Sequence, residues 1–403
     1  MAKSSATILL FFILFGSMFV IGYVDNIKGV SYPLIKTEFE ISYEQQGIMV
    51  SVLSFSFVLF CFVGGIIIGS FGAKKAFIAG FAAMVLGIIL VMLPPLLRLP
   101  GFLSVAALFI VIASFGLLEV SSNALASQVF TSRAALLLSL LHFFYGAGSS
   151  LSPRIAGSIA ALMDWRKTYF FSLPLVMIFF IPSVFCRFPV EKENQAGPGE
   201  IKKYRFFASF KNPMVWFFST VLGLMVAVES CSINWAGLYF QDVYNMDPKT
   251  SGAAFISNFF IFFTLSRLVS GFVIEKIGYI RSLFIASASL LIILLVGFIL
   301  GAKGILLLPV SGFFIAVFWP TILAIALGYF REDAPVMSSA IIVISGAFSS
   351  AIQFLIGLIN RLIGPAWGYR SCLAYAVIII AGLVVLARNM NHPHKAGLRN
   401  AAG

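Results

Sequence analysis

Three carboxylates, Asp25, Glu119 and Glu229, stand inside long apolar stretches of this chain, away from any turn. Ionised groups are expensive in an apolar surrounding, and those kept there are paired or used. Basic partners are at hand: Lys28 follows Asp25 by three residues, on the same face of a helix, and Arg154 lies in a later apolar stretch. At the helical rise, Asp25 is roughly 27 Å, Glu119 roughly 18 Å, Glu229 roughly 23 Å and Arg154 roughly 30 Å from the same end of their helices. Either cation can serve Asp25. Glu119 has no charged neighbour on its own helix, only Ser122 and Asn123 about one turn on. Desolvation favours the neutral form of such a carboxyl, which suits it to load and release a proton. His142, roughly 12 Å deep on the following helix, is a second proton site or a ligand contact. Glu229 opens the run Glu-Ser-Cys-Ser-Ile-Asn-Trp and offers polar groups from a distant part of the chain.

The elements that must position these groups are membrane helices. Of 403 residues, 60% are hydrophobic and only 10% charged, with 44 Phe, a composition that no water-surrounded core would carry. The chain offers twelve apolar runs of spanning length. The first, Ala6 to Val24, is too long for a signal peptide and is expected to remain as a helix. Twelve divides into six plus six: a first bundle over 1–190, a polar linker over 191–211, and a second bundle over 212–403. The fold class is therefore an all-α integral membrane protein of twelve helices in two six-helix, pseudo-symmetric bundles. Assigning loops alternately puts 16 of the 27 Lys and Arg on the side of both termini and 8 on the other. That asymmetry predicts cytoplasmic termini in a cell (inner or plasma) membrane. The net charge of +12 is thus a topology signal, with no nucleic-acid partner implied. Cys61, Cys186, Cys231 and Cys372 have no paired spacing, so neither disulfide nor metal is expected.

The halves repeat one another. Gly65, Gly69, Ser70, Gly72 and Lys75 match Gly271, Glu275, Lys276, Gly278 and Arg281 at an offset of 206, and Asp164-Trp165-Arg166 answers Trp367-Gly368-Tyr369-Arg370 at 204 between the arginines. Duplicated membrane bundles place a site between their halves at mid-depth, as secondary transporters do. No nucleophile-base set, metal cluster or phosphate-binding loop appears, so an enzyme is not expected and no cofactor is implied.

Several motifs resemble the fucose/glucose symporter branch of the major facilitator superfamily. Gly116-Leu-Leu-Glu119-Val-Ser-Ser-Asn123 is similar to its fourth-helix motif, in which the glutamate is implicated in proton coupling. Leu141-His142-Phe143-Phe144-Tyr145-Gly146 with Pro153 resembles its fifth helix, Glu229 with Trp235 its seventh, and Phe318-Trp319-Pro320-Thr321-Ile322 its tenth. Two departures stand out. The superfamily's loop between helices 2 and 3 carries Gly-x-x-x-Asp-Arg-x-Gly, whereas Gly69 and Ser70 replace the acid and the base here. The helix-1 aspartate of fucose symporters would fall at Gly29, one turn after Asp25.

The resemblance implies alternating access and proton-coupled import of a hexose-type sugar, with Glu119, Asp25, Glu229 and His142 as coupling groups and protons, or alternatively sodium, as the coupling ion. Sugar recognition needs amides and hydroxyls for ring hydroxyls and flat aromatics for C–H faces. Asn26, Asn123, His142, Glu229, Trp235, Asn258, Trp319 and Gln353 are the candidates. Gly271, Glu275, Lys276, Arg281 and Arg267 are expected to form the cytoplasmic gate of a monomeric transporter. A competing reading is export, since Gly148 to Gly157 is a degraded copy of the helix-5 pattern of drug/proton antiporters, with Ser152 and Ala156 in place of glycines. A non-transporting membrane sensor is the remaining reading, favoured only by the broken first-half loop.

Overall fold

A computed structural model describes residues 2–130, 134–188 and 208–390. Most of the linker expected at 191–211, and the tail beyond 390, lie outside the described residues. The described residues form helices and short connections, without a strand. They make twelve transmembrane passes, several in pieces. In the first half these are α1 (Ala2–Asn26 and Lys28–Glu38), α2 (Tyr43–Phe71), α3 (Ala73–Leu96), α4 (Phe102–Val129), α5 (Ala134–Leu162) and α6 (Arg166–Phe170 and Leu173–Phe185). The second half has α7 (Pro213–Asn234 and Ala236–Tyr244), α8 (Ala253–Ile277) and α9 (Tyr279–Ile299). It continues with α10 (Gly304–Leu307, Ser311–Ile315 and Phe318–Phe330), α11 (Ala334–Ile363) and α12 (Pro365–Arg370 and Cys372–Met390).

Eleven of the passes are long and apolar enough to cross a membrane by length and composition. The remaining one, α5, is 29 residues long and carries His142, Tyr145, Ser149 and Arg154 along its length. Lipid offers no partner for backbone amides, so helices that close every bond internally are the stable solution. Each half has its own apolar core: one built around α1, α3 and α4, the other around α7, α8 and α9.

The sequence repeat reappears as geometry. Gly72 ends α2 with φ +88° and Gly278 ends α8 with φ +85°. Their amides bond back to Ile68 (2.9 Å) and Ile274 (2.8 Å). That backbone region is open to glycine and essentially closed to other residues, which is why both copies of the loop carry it. Both α1 and α7 break at an asparagine, Asn26 and Asn234.

The two halves touch chiefly at the face opposite the chain termini, here called the far face. Helix α2 packs on α11, and α5 on α8, while the outer piece of α1 meets both α7 and α8. Gly47 and Gly357 put the α2 and α11 backbones in contact, and Gly29 and Gly237 do the same for the outer pieces of α1 and α7. Tyr43 donates to Asp242 across the halves at 2.5 Å, and Glu44 pairs with Arg361. Toward the face bearing the termini, Gly65, Gly69, Gly271 and Gly278 have no neighbour where a side chain would project. The molecule is closed at the far face and open at the terminal one.

Candidate functional site

The break in α1 builds the first part of the site. Asn26 donates to the Gly22 carbonyl (3.0 Å) and to Ser149 of α5 (3.0 Å), which fixes the bend and sets Asp25 and Lys28 on either side of it. Asp25 and Lys28 form an ion pair, with about one sixth of each side chain exposed. Tyr145 of α5 points its hydroxyl at the second carboxylate oxygen of Asp25 at 3.4 Å. Arg154, the other partner expected for Asp25, is directed elsewhere: it donates to Asn258 of α8 at 2.9 Å. The reason is helical phase, since Tyr145 and Ser149 turn toward α1 while Arg154 lies on an exposed side of α5.

Glu119 projects from the middle of α4, half-buried, and accepts from the Asn123 amide one turn on (3.0 Å). Asn123 also closes on the Glu119 carbonyl at 2.8 Å, so it supports the carboxylate more than it faces open space. His142 and Glu229 are half-buried on α5 and α7. Trp319 packs partly buried against the second-half core.

Arg267 is displaced from its expected role. Grouped by sequence with Gly271, Glu275, Lys276 and Arg281 as a gate, it lies ten residues from the end of α8, about 15 Å in. Its guanidinium sits over the Phe263 ring at 4.8 Å and lies in the neighbourhood of Glu229, Glu119 and His142 without an ion pair to either carboxylate. The other four gate residues are exposed at the terminal face. One set of charges therefore converges between the halves: Asp25, Lys28 and Glu119 from the first, Glu229 and Arg267 from the second. Asp25 and Lys28 lie in the neighbourhood of Glu229 as well.

Asn26, Trp235 and Gln353 are held in the helix packing. Trp235 Nε1 donates to Gln353 Oε1 (3.0 Å), as does Asn234 Nδ2 (3.3 Å), and Asn26 and Gln353 are fully buried. Each amide nevertheless keeps one atom without a partner: Asn26 Oδ1, Asn234 Oδ1 and Gln353 Nε2. Buried polar atoms are rarely left so, and a shift of α1 or α7 at its break would free them for a ligand. Three residues carry more of this arrangement than sequence reasoning assigned them. Tyr145 sits against Asp25, Asn234 mirrors Asn26 at an offset of 208 with Gly237 mirroring Gly29, and Arg267 could have been placed by counting its depth along α8.

With this geometry in hand, comparison with known proteins is informative. The sequence profile of the Major Facilitator Superfamily matches residues 14–353. No curated protein matches in sequence. Among solved structures, the E. coli fucose:proton symporter FucP is similar at 16% identity and TM-score 0.64, covering 94% of this chain and 99% of that one. The nucleoside transporter NupG is similar at 14% identity and TM-score 0.71, covering 94% and 98%. At these identities the likeness is one of fold.

Proposed function

This chain belongs to the Major Facilitator Superfamily, and on that premise we propose that it imports a hexose-type sugar together with a proton by alternating access. The coarser statement is established by the family: it is a multi-pass integral membrane transporter and not an enzyme. The observation that carries the finer one is the charge balance between the halves. Three carboxylates, Asp25, Glu119 and Glu229, share that space with two cations, Lys28 and Arg267. With all five ionised the set is one negative charge in excess, which a low-dielectric interior penalises. One added proton makes it neutral. Among the described residues Glu119 accepts only from an amide and Glu229 has no ion pair, so either can take that proton, and the resemblance of the fourth-helix motif assigns it to Glu119.

The bias of Lys and Arg toward the terminal face supports a cytoplasmic orientation for it, so the state described here opens inward. Asn123, His142, Glu229, Asn258 and Trp319, each partly exposed, supply the amide, charged and aromatic groups that a sugar's hydroxyls and C–H faces require. Coupling needs only that substrate bind the protonated form better, so that each ligand shifts the other's affinity equally.

The test is uptake of labelled hexoses, with nucleosides in parallel because NupG shares the fold, into liposomes with an inward proton gradient and no sodium. Accumulation that collapses with a protonophore is expected. Glu119→Gln should keep sugar exchange and lose accumulation. Uptake that requires sodium, or efflux against the gradient, would overturn the reading.

A further inference from the structure

Of the two cations at mid-depth, Lys28 holds Asp25, whereas Arg267 has no carboxylate partner among the described residues. Helices α5 and α8 run antiparallel across the boundary between halves, with Gly146 against Thr264 and Gly157 against Ala253. Extending that register by a turn sets Arg267 level with His142 and Phe143. Its Nε is buried with no hydrogen-bond partner, and it makes none of the ion pairs found among the described residues. What it has is a ring face, Phe263, and carboxylates that it feels without touching. A partly desolvated cation without a carboxylate is costly, so any conformation that brings one to it is favoured by comparison.

The two carboxylates differ in which half carries them. Glu229 belongs to the same half as Arg267 and travels with it. Glu119 belongs to the opposite half, on α4, which has no substantial packing on α8 in this terminal-open state. Closing the terminal face draws the halves together and brings Glu119 toward Arg267. We propose that Arg267 is the positioning residue that returns the empty carrier: an ionised Glu119 pairs with it as the terminal face closes, and a protonated Glu119 does not. The proton taken up outside breaks the pair and lets the loaded carrier open inward, and its release inside restores the attraction that closes the terminal face again. The inference rests on the proton-coupling reading above and names the residue through which the proton acts on conformation.

Other titratable groups lie on the elements around α8 and must be separated from Glu119. Helix α5 brings His142, Tyr145 and Arg154, the outer piece of α1 brings Lys28 with Asp25 beside it, α7 brings Glu229, the turn before α8 brings Lys249, α9 brings Tyr279 and Arg281 at the loop, and α10 brings Tyr329, on a piece without substantial packing on α8. The experiment is the distance between spin labels at Ser70 on α2 and Tyr279 on α9, both exposed near the terminal face, in liposomes without substrate across a pH series. Raising pH should shift the population toward the shorter, closed distance. Arg267→Gln should abolish the shift, Arg267→Lys should retain it, and His142→Gln should leave it in place.

Transport gives a second readout. Arg267→Gln should keep sugar exchange, which needs no empty return, and lower net uptake about tenfold, within the usual range of coupling free energies. A pH shift that survives Arg267→Gln, or one lost in His142→Gln, would overturn the proposal. So would a folded Arg267→Gln protein that loses exchange, since Arg267 would then act on the substrate itself. Failure of proton-driven uptake in the unaltered protein would instead overturn the functional reading, a separate result obtained without any change at Arg267.

Discussion

In the first half the bend of α1 is held by Asn26 donating to Ser149 of α5, and in the second the bend of α7 is held by Asn234 donating to Gln353 of α11. Both inner loops turn on a glycine of the same φ. The charges do not follow this pattern. By the same offsets, Asp25 and Lys28 fall opposite Ile233 and Ala236, and Arg267 falls opposite Cys61. What the molecule has twice bends and fastens helices; what it has once lies between the halves. The comparison separates frame from function without reference to any relative.

The largest effect should come from the far-face closure, which both halves build jointly. A side chain at Gly357 would meet the Tyr43 carbonyl and the Gly47 backbone, and backbone on both sides leaves no flexible group to yield. Gly357→Val should hold the far face apart, reduce sugar uptake to background and lengthen the distance between spin labels at Thr37 and Asn245, while thermal unfolding stays cooperative. Normal uptake would show that the closure seen here is not part of the transport cycle.

Next in size is a frame residue that the halves share in sequence but satisfy differently. Arg166 is nearly buried and pairs with Glu38 (2.7 Å) and Asp164 (2.8 Å) while donating to Ser104 at 3.0 Å. Its counterpart Arg370 lies 5.7 Å over the Trp367 ring, and its Nε has no partner. Arg166→Ala removes a buried guanidinium from two carboxylates that are themselves more than a third exposed, and should cost about 1–2 kcal/mol in stability. Arg370→Ala should cost distinctly less. Glu119→Gln, a cleft substitution, should leave the unfolding temperature unchanged or raise it, the reverse of the loss of accumulation proposed for it.

Gly72→Ala and Gly278→Ala test the repeat itself. Each forces a side chain into a glycine-only backbone region at a cost of order 1–3 kcal/mol. Because the two turns have the same geometry and open space around them, their unfolding temperatures should fall together. A fall in one alone would mean that the halves are not equivalent even in their frame.

Much of this frame could be read from the chain. Composition and run length gave the helices, and the glycine offsets gave the repeat, because both follow from lipid and backbone geometry that act on every residue alike. The acids inside helices were legible for the same reason: burying a charge is expensive wherever it occurs. The partner of Asp25 was not, since choosing Lys28 over Arg154 depends on which way α5 is turned. Trp235 and Gln353 look like sugar contacts in sequence, yet they bond to each other. Nothing in residue type distinguishes an amide that binds a ligand from one that fastens two helices. Arg267 was drawn toward the gate by its neighbours in sequence, although its depth along α8 sets it with Glu119 and Glu229.

The smallest predicted effect lies in the two asparagine fastenings, and it differs between them in sign-independent magnitude. Ser149→Ala removes one acceptor from Asn26, whose amide still donates to the Gly22 carbonyl at 3.0 Å, so the loss should be near the ~0.6 kcal/mol typical of interhelical hydrogen bonds in membranes. Gln353→Ala leaves both Trp235 Nε1 and Asn234 Nδ2 without the oxygen that they share, and should cost about 1 kcal/mol or somewhat more. Thermal unfolding of the two variants in one detergent compares them directly. Equal costs would mean that the Trp235 indole finds a new partner when α7 relaxes at its break, and α7 would then be the more adaptable of the two bent helices.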